Sequence, residues 1–164
     1  SRGLFRQEAT ESGPTHTTRG LFADLRRVSG GQLIAEHATR NLQGARLRID
    51  RSEGDGAWEF YRLADDFYVV AADFVYDQVR AEHAAGEGLL EFHLRLAGHL
   101  EMNLPGHDAP VIVRGPRLLM MHQPPGVDVS ERVAPKLRDT SVTLYCKPEI
   151  LIELAHQKIG RAHV

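Results

Sequence analysis

Apolar and polar residues alternate most regularly between residues 86 and 104, and this pattern predicts the centre of the fold. Apolar side chains occupy every second position from Leu90 to Leu96. The positions between and after them hold Glu91, His93, Arg95 and Ala97. Because successive side chains of a strand point to opposite faces, this period predicts a strand with one apolar face. Gly98 supplies a turn and residues 99–104 alternate again, so the stretch is predicted to form a β-hairpin.

Similar short segments continue along the chain from residue 45. They are separated by turn residues at intervals of roughly eight to twelve residues, which is typical of all-β sandwiches and jelly-roll barrels. Near the end, Pro148 stands where the first turn of a helix accepts proline. The apolar residues after it fall on one face of that helix: Ile150, Leu151, Leu154 and Ala155. We therefore predict an all-β jelly-roll barrel followed by a C-terminal helix.

The change from polar to alternating sequence near residue 45 predicts the domain organisation. Before it we expect a mobile or weakly helical segment, with a short helix over 21–28 and weak helical character over 32–43. The final hexapeptide, IGRAHV, matches one reading frame of a common sequencing adapter, so we expect a non-native tail on a fragment of a longer protein. The predicted units are a lead-in at 1–44, the barrel at 45–146, the helix at 147–158 and the tail at 159–164.

Length, charge and cysteine content limit the class of protein. The 164 residues suffice for one domain with a core, and the net charge of −2 gives no general attraction to nucleic acid or anionic membranes. No apolar run reaches the roughly 18 residues of a membrane-spanning helix. The single cysteine, Cys146, excludes an intrachain disulfide and favours a reducing, cytoplasmic location. Its apolar neighbours predict that it is a buried side chain rather than a nucleophile.

No residue pattern in the chain predicts catalysis. Nucleophile-elbow and phosphate-loop motifs are absent from the sequence. Among its nine histidines, no pair has the HxH or HxxxH spacing that places two imidazoles on one face. We therefore expect no catalytic residue, no metal site and no cofactor, and we expect that the chain is not an enzyme.

One spacing in the central stretch resembles a known family. Glu91 is followed after six residues by Gly98, which resembles the second half of the first cupin motif. That motif has HxH four or five residues before the glutamate, where this chain has Ala84, Ala85, Gly86 and Glu87. The second motif is matched loosely by Gly115 and by Pro124-Pro125-Gly126, with Val129 in place of its histidine. The resemblance implies a cupin-like barrel that lacks the metal ligands.

Four segments between residues 58 and 154 resemble, in order and spacing, the N-terminal sensing domain of AraC-type transcriptional regulators. They are WEFYRLADDFYVVAADFVYD, LLEFHLRLAGHLEM, VIVRGPRLLMMHQPPGVDV and SVTLYCKPEIL. The similarity is strongest to the branch with pyochelin-type siderophore regulators. It implies a bacterial domain that binds a small-molecule effector in its barrel and dimerises through C-terminal helices. DNA would be bound only by a missing helix-turn-helix domain, because ten residues remain after Leu154. The alternative is a small cupin-fold, metal-dependent enzyme.

The candidate ligand-binding residues are polar side chains on predicted strands. In the cupin register Glu91 points into the barrel, and His93 and Arg95 follow by the period of two. His122 is a fourth candidate, and the adjacent Met120 and Met121 are expected in the core. In the alternative interpretation the leucines fill the barrel, and the polar face is solvated or faces a second subunit. If Arg95 faces the ligand, Arg95→Ala is expected to change the effector response more than stability.

Overall fold

A computed structural model of the chain describes residues 15–23, 30–64 and 66–161. These residues form twelve strands and two helices. In chain order the elements are β1 (Thr15–His16), α1 (Thr18–Ala23), β2 (Gly31–Ala38), β3 (Gln43–Ile49), β4 (Gly54–Ala64), β5 (Phe67–Tyr76), β6 (Arg80–Ala85), β7 (Leu90–Ala97), β8 (His99–Asn103), β9 (Val111–Arg114), β10 (Arg117–His122), β11 (Asp128–Val133), β12 (Asp139–Cys146) and α2 (Pro148–Arg161).

Eight consecutive strands, β5 to β12, have the strand order of a jelly roll. One sheet contains β10, β7, β12 and β5 as successive neighbours, and the facing sheet contains β6, β11, β8 and β9. The ladders between these strands are antiparallel. Apart from β8 and β9, which are neighbours in one sheet, consecutive strands alternate between the sheets in the two-Greek-key order that jelly rolls share. The predicted all-β jelly-roll barrel with a C-terminal helix is confirmed.

Three earlier strands widen the first sheet. β4, β3 and β2 follow β5 in that order, so strands of the barrel begin at Gly31, ahead of the boundary predicted at residue 45. The weak helix predicted over 32–43 is wrong, because β2 is a strand that pairs with β3. Pairing with a neighbouring strand has overridden a weak local preference there. The helix predicted over 21–28 is described as α1, which ends at Ala23, and residues 24–29 lie outside the described part of the chain.

The predicted hairpin at the centre of the chain is also wrong. β7 pairs with β10 and β12, whereas β8 pairs with β9 and β11 in the other sheet. The alternating pattern correctly predicts both strands, but it cannot distinguish a hairpin from a chain that crosses between sheets. Gly98 makes the crossing with a φ of 107°, a conformation that side-chain-bearing residues rarely adopt.

The hydrophobic core lies between the sheets and is most apolar on the inner face of β3, β4 and β5. Leu47 and Ile49 are fully buried there, and the rings of Trp58 and Phe74 lie 5.9 Å apart. On the opposite side, Leu100, Met102, Val113 and Val129 close the core from the second sheet. The part of the first sheet formed by β7 and β12 is different, because its inward side chains include polar ones. That polar strip is where the candidate site lies.

The C-terminal helix begins at Pro148, as predicted, and runs to Arg161. It therefore includes the first three residues of the segment expected to be a non-native tail. Leu151, Ile152 and Leu154 are exposed, at 37%, 56% and 51%, so the apolar face of α2 is not buried against the barrel. Among the helices that the structure describes, none is long and apolar enough to span a membrane.

We expect Gly98→Ala to destabilise the domain by about 2–4 kcal/mol, measured by urea unfolding. Alanine at this position would have to adopt the positive φ of 107°, and its β-carbon would lie 2.8 Å from the carboxyl carbon of Asp139. Gly106→Ala is the matched control, because Gly106 has a φ of 80° but nothing within 4 Å of such a carbon. That variant should lose only the backbone component, about 1 kcal/mol. Equal losses would show that the Asp139 contact has no effect.

Candidate functional site

The polar residues of β7 face the barrel interior. Glu91, His93 and Arg95 are 8%, 7% and 3% exposed, whereas Leu94 and Leu96, on the opposite face, are 39% and 50% exposed. The alternative in which the leucines fill the barrel is therefore wrong. The register explains this orientation, because the three polar residues lie beside Tyr145, Thr143 and Ser141 of β12, and the inner faces of both strands are polar.

His122 is not part of this site. It pairs with Leu90 on the outer face of the sheet and is exposed, so its prediction as a pocket residue is wrong. Because side chains alternate, the inward neighbour on β10 is Met121, which lies opposite Glu91 and packs against the core. Met120 points outward and is 67% exposed, contrary to the core position expected for it. At the end of β10, the side chain that faces the barrel interior is therefore Met121, one residue before the predicted His122.

Arg95 forms a buried ion pair and is not one of the residues that line the cavity described below. Its guanidinium donates a hydrogen bond to the carboxylate of Asp139, and the two residues are 3% and 1% exposed. Burial lowers the pKa of Arg95 to about 10, which leaves it charged at neutral pH. Asp139 begins β12 beside Gly98, where a β-carbon would collide with its carboxylate. Asp139 is 44 residues from Arg95 in the sequence, and no local pattern indicates this pair.

His93 lies between Glu91 and the wall of β12 as a neutral ring. Its Nδ1 is 2.8 Å from Thr143 Oγ1 and 3.7 Å from Glu91 Oε1. Burial, with a smaller effect of the Arg95 charge, lowers the pKa of His93 to about 4. Because the ring is uncharged at neutral pH and 3.7 Å exceeds a hydrogen-bond distance, His93 does not neutralise Glu91. Nε2 of His93 has no hydrogen-bond partner in the described part of the chain.

Glu91 lines a cavity of about 70 Å³ between the two sheets. Two more carboxylates, Glu82 of β6 and Glu131 of β11, lie on its wall and face each other directly in the β6–β11 ladder. Burial, together with the charge of Glu131, raises the pKa of Glu91 to about 8. Burial, together with the charge of Glu82, raises the pKa of Glu131 to about 7. Glu91 and Glu131 therefore keep protons at a pH where exposed carboxylates would release them.

Aromatic side chains form another part of the cavity wall. Phe60 comes from β4, Phe22 from α1 and Tyr145 from β12 beside Glu91. The ring of Phe22 lies 5.5 Å from that of Phe60 and 4.5 Å from that of Tyr68. The cavity thus combines acidic groups with aromatic surfaces, which sequence analysis missed because Glu82, Glu131 and Tyr145 lie on separate strands.

The α1 helix covers one side of the cavity and is fastened by Arg19. The guanidinium of Arg19 donates to Asp66, with Nε and Oδ1 2.5 Å apart. The backbone nitrogen of Arg19 donates to Glu87 Oε2 over 3.1 Å. Hydrogen bonds from Arg19 and Lys147 lower the pKa of Asp66 to about 2. These contacts attach α1 to the loops after β4 and β6. They hold the helix in the position where it forms part of the cavity wall.

Metal-ligating residues are not grouped in the described chain. No set of three or more His, Cys, Asp or Glu residues there has an arrangement that could hold a metal ion. The donor set therefore does not fit the metal centre of a metal-dependent cupin. Cys146 is fully buried and its thiol pKa is raised by that burial, which confirms the predicted buried position.

Comparisons with known proteins give similarity at the level of structure. No protein-family model and no curated protein matches the sequence. Similar solved structures include a cupin protein from Bacteroides fragilis, with a TM-score of 0.42 and 10% identity over 71% of this chain and 86% of that one. A cupin superfamily protein from Desulfitobacterium hafniense has a TM-score of 0.41 and 13% identity over 68% of this chain and 83% of that one. KdgF from Halomonas sp. has a TM-score of 0.41 and 11% identity over 69% of this chain and 86% of that one.

Proposed function

We propose that this chain binds a small-molecule effector in the cavity between its sheets and has no catalytic activity of its own. The observation that carries the proposal is the environment of Glu91. Its side chain is nine-tenths buried and lines the cavity, and its contact with His93, 3.7 Å from Oε1 to Nδ1, is too long for a hydrogen bond. A carboxyl group that is removed from water costs free energy unless a hydrogen-bond partner compensates. A ligand in the cavity would supply the missing partner.

Effector binding would be communicated through α1. Thr18, Leu21 and Phe22 form part of the cavity wall, so a bound molecule would contact this helix directly. Such contacts would favour one position of α1 over others and shift its equilibrium. The contacts of Arg19 lie at the surface, where a neighbouring domain would contact α1 and respond to its position.

The wider role that we propose is that of a sensing domain in a bacterial, cytoplasmic AraC-type transcription regulator. Its support is the resemblance of four segments between residues 58 and 154, which lie in the jelly roll and the start of α2. DNA would then be bound by a separate domain that is not part of this sequence. The alternative of a metal-dependent cupin enzyme is less favoured, because the described residues do not gather a metal-ligand set.

A thermal-shift screen of the purified chain tests effector binding. The compounds are siderophores, sugars, amines and small aromatics, and a binder is expected to raise the melting temperature in proportion to its saturation. The control is Ala84→Leu, which places a larger side chain in the cavity without changing its charge and should abolish the rise in melting temperature. Its circular dichroism and its own melting temperature verify folding. Absence of any cavity-dependent binder, or tight stoichiometric iron, manganese or zinc with turnover, would contradict the proposal.

We also propose that the domain forms a homodimer through an apolar outer patch. The patch consists of Leu94, Leu96, Leu118, Met120 and Val142 on adjacent strands. Leu118 and Met120 are 63% and 67% exposed, and surfaces of this kind mark interaction sites. The second copy is the favoured partner because α2, which continues from β12, presents a separate exposed apolar face that could cover the patch of another chain.

The combined change Leu118→Glu and Met120→Glu is expected to convert the dimer to a monomer in sedimentation equilibrium. Two charges on each copy of the patch would be desolvated on association, and this should weaken dimerisation at least a hundredfold. The control Leu137→Glu places a charge on an exposed apolar residue outside the patch and should leave the dimer intact. A monomeric wild type at micromolar concentration would contradict the proposal.

A further inference from the structure

We propose that the cavity selects a small organic cation, an ammonium or guanidinium head group, over neutral and anionic effectors. This inference rests on the proposed binding function and specifies the chemical class of the ligand. It follows from the charges around the cavity, from the position of Glu91 and from the aromatic part of the wall.

The positive charges near the cavity are already engaged. Arg80 Nε lies 2.5 Å from Glu82 Oε1, so Glu82 has a cation beside it. Arg95 is bonded to Asp139. Neither Glu91 nor Glu131 forms an ion pair with Arg or Lys among the described residues, and the more distant charge of Arg95 only partly offsets the rise in their pKa values. A cationic ligand would replace the protons that Glu91 and Glu131 hold, whereas an anionic ligand would add a negative charge to a poorly solvated space.

The β6–β11 ladder points to the same conclusion. Glu82 and Glu131 are direct cross-strand neighbours, and like charges at such positions destabilise a sheet. Within the described ranges, the cation that bonds to this pair is Arg80, and it contacts Glu82. Glu91 is an independent third group, because it comes from the facing sheet and its carboxyl group lies 3.7 Å from His93, beyond hydrogen-bond distance. Both sheets therefore present carboxyl groups to one cavity, and the side-chain amide of Gln123, which also lines it, donates to Ala84 O and Val127 O rather than to these groups.

The aromatic residues of the wall suit an organic cation. Phe22, Phe60 and Tyr145 line the same cavity as the carboxylates. The negative face of an aromatic ring attracts ammonium and guanidinium groups, and the attraction increases where water is excluded. Carboxylates on one part of the wall and rings on another would contact both the charged and the apolar parts of an alkylated cation.

The size and geometry of the cavity limit the ligand further. A volume of about 70 Å³ holds several water molecules or one compact head group, but not a whole siderophore. A bare metal ion is disfavoured because the described residues lack a group of three suitable ligands. Binding of the cation would also displace the protons that the raised pKa values of Glu91 and Glu131 keep in the cavity.

Isothermal titration calorimetry at pH 8.5 tests the inference with three probes of similar shape. They are propylguanidinium, the neutral propylurea and the anionic butyrate. Only propylguanidinium is expected to bind, and its affinity should fall at least tenfold at pH 6, where Glu91 and Glu131 are protonated. Repeating the titration near pH 7 in buffers of different ionisation enthalpy should reveal proton release on binding.

Matched variants locate the binding. Glu91→Gln and Glu131→Gln should each weaken propylguanidinium binding at least tenfold, whereas Glu36→Gln, the same charge change at an exposed residue of β2, should not. Failure of propylguanidinium to bind overturns the inference, and so does equal or tighter binding of propylurea or butyrate. One equivalent of bound Zn²⁺ that is lost in Glu91→Gln would assign an inorganic cation and also overturn it. A neutral or anionic cavity binder in the screen would leave the binding function intact, whereas no binder at all would contradict both proposals.

Discussion

Replacing Arg95 with alanine is expected to lower the free energy of unfolding by about 3–5 kcal/mol. The substitution removes the cation from a pair whose members are 3% and 1% exposed. Asp139 would then keep a buried negative charge without its hydrogen-bond donor, and such a charge is far more costly than the intact pair. The loss should be measured by urea unfolding, with an unchanged dependence on denaturant showing that the same surface is exposed.

The matched control is Arg138→Ala. Arg138 also bonds an aspartate, with Nη2 2.5 Å from Asp73 Oδ2, but the side chains of this pair are 66% and 49% exposed. Water can solvate Asp73 after the change, so the expected loss is below about 1 kcal/mol. The double variant Arg95→Met and Asp139→Leu removes both charges and should recover most of the stability lost in Arg95→Ala. Equal effects of Arg95→Ala and Arg138→Ala would contradict this account.

The structure reverses the expectation that sequence analysis formed for Arg95. From its place on a polar strand face, Arg95→Ala was expected to affect effector response more than stability. The bond to Asp139 now predicts the opposite order, because Arg95 is held away from the ligand by a buried partner. Glu91, two residues earlier, is the member of this strand that lines the cavity.

Replacing Glu91 with glutamine is expected to remove much of the fall in stability of the domain between about pH 4.5 and pH 8. Burial raises the pKa of Glu91 above its unfolded value of 4.5, to about 8. The folded state therefore binds the proton more tightly than the unfolded state does. Its contribution to stability is fully present below pH 4.5 and is lost as the pH rises through about 8. Glutamine resembles the protonated carboxyl group at every pH.

The two proteins should therefore be similar in stability at pH 4.5 and diverge as the pH rises. At pH 8.5 the variant should be more stable than the wild type by roughly 2–4 kcal/mol. Some decline should persist, because the pKa of Glu131 is also raised, to about 7. Urea unfolding at a series of pH values measures the difference. Glu36→Gln, on the exposed side of β2, should follow the wild-type curve. Parallel curves for Glu91→Gln and the wild type would contradict a buried, protonated Glu91.

The alternating pattern predicted the strands better than it predicted their partners. The residues of β7 and β8 were identified as strands, because a period of two is a local property of the chain. Their assignment to different sheets depends on β11 and β12, which lie far along the sequence. The strand β2 was missed for the same reason, since its pairing with β3 outweighs its weak local preference.

The candidate site was predicted only in part. Glu91, His93 and Arg95 are buried on one strand, as the cupin resemblance implied, but they have three different surroundings. Glu91 lines the cavity, His93 bonds to Thr143, and Arg95 bonds to Asp139. His122 was placed on the wrong face because the orientation of β10 depends on its register with β7. A shift of one residue moves every side chain of a strand to the other face.

By itself, the sequence determined that this chain is an all-β domain with a terminal helix, and that β7 has one polar and one apolar face. Those properties follow from side-chain period and turn chemistry, which act over a few residues. Only the tertiary structure decided that the polar face looks inward, because that choice depends on what the facing sheet supplies. It supplies Glu82 and Glu131 rather than apolar side chains, and this long-range juxtaposition turns a strand into the wall of an acidic cavity.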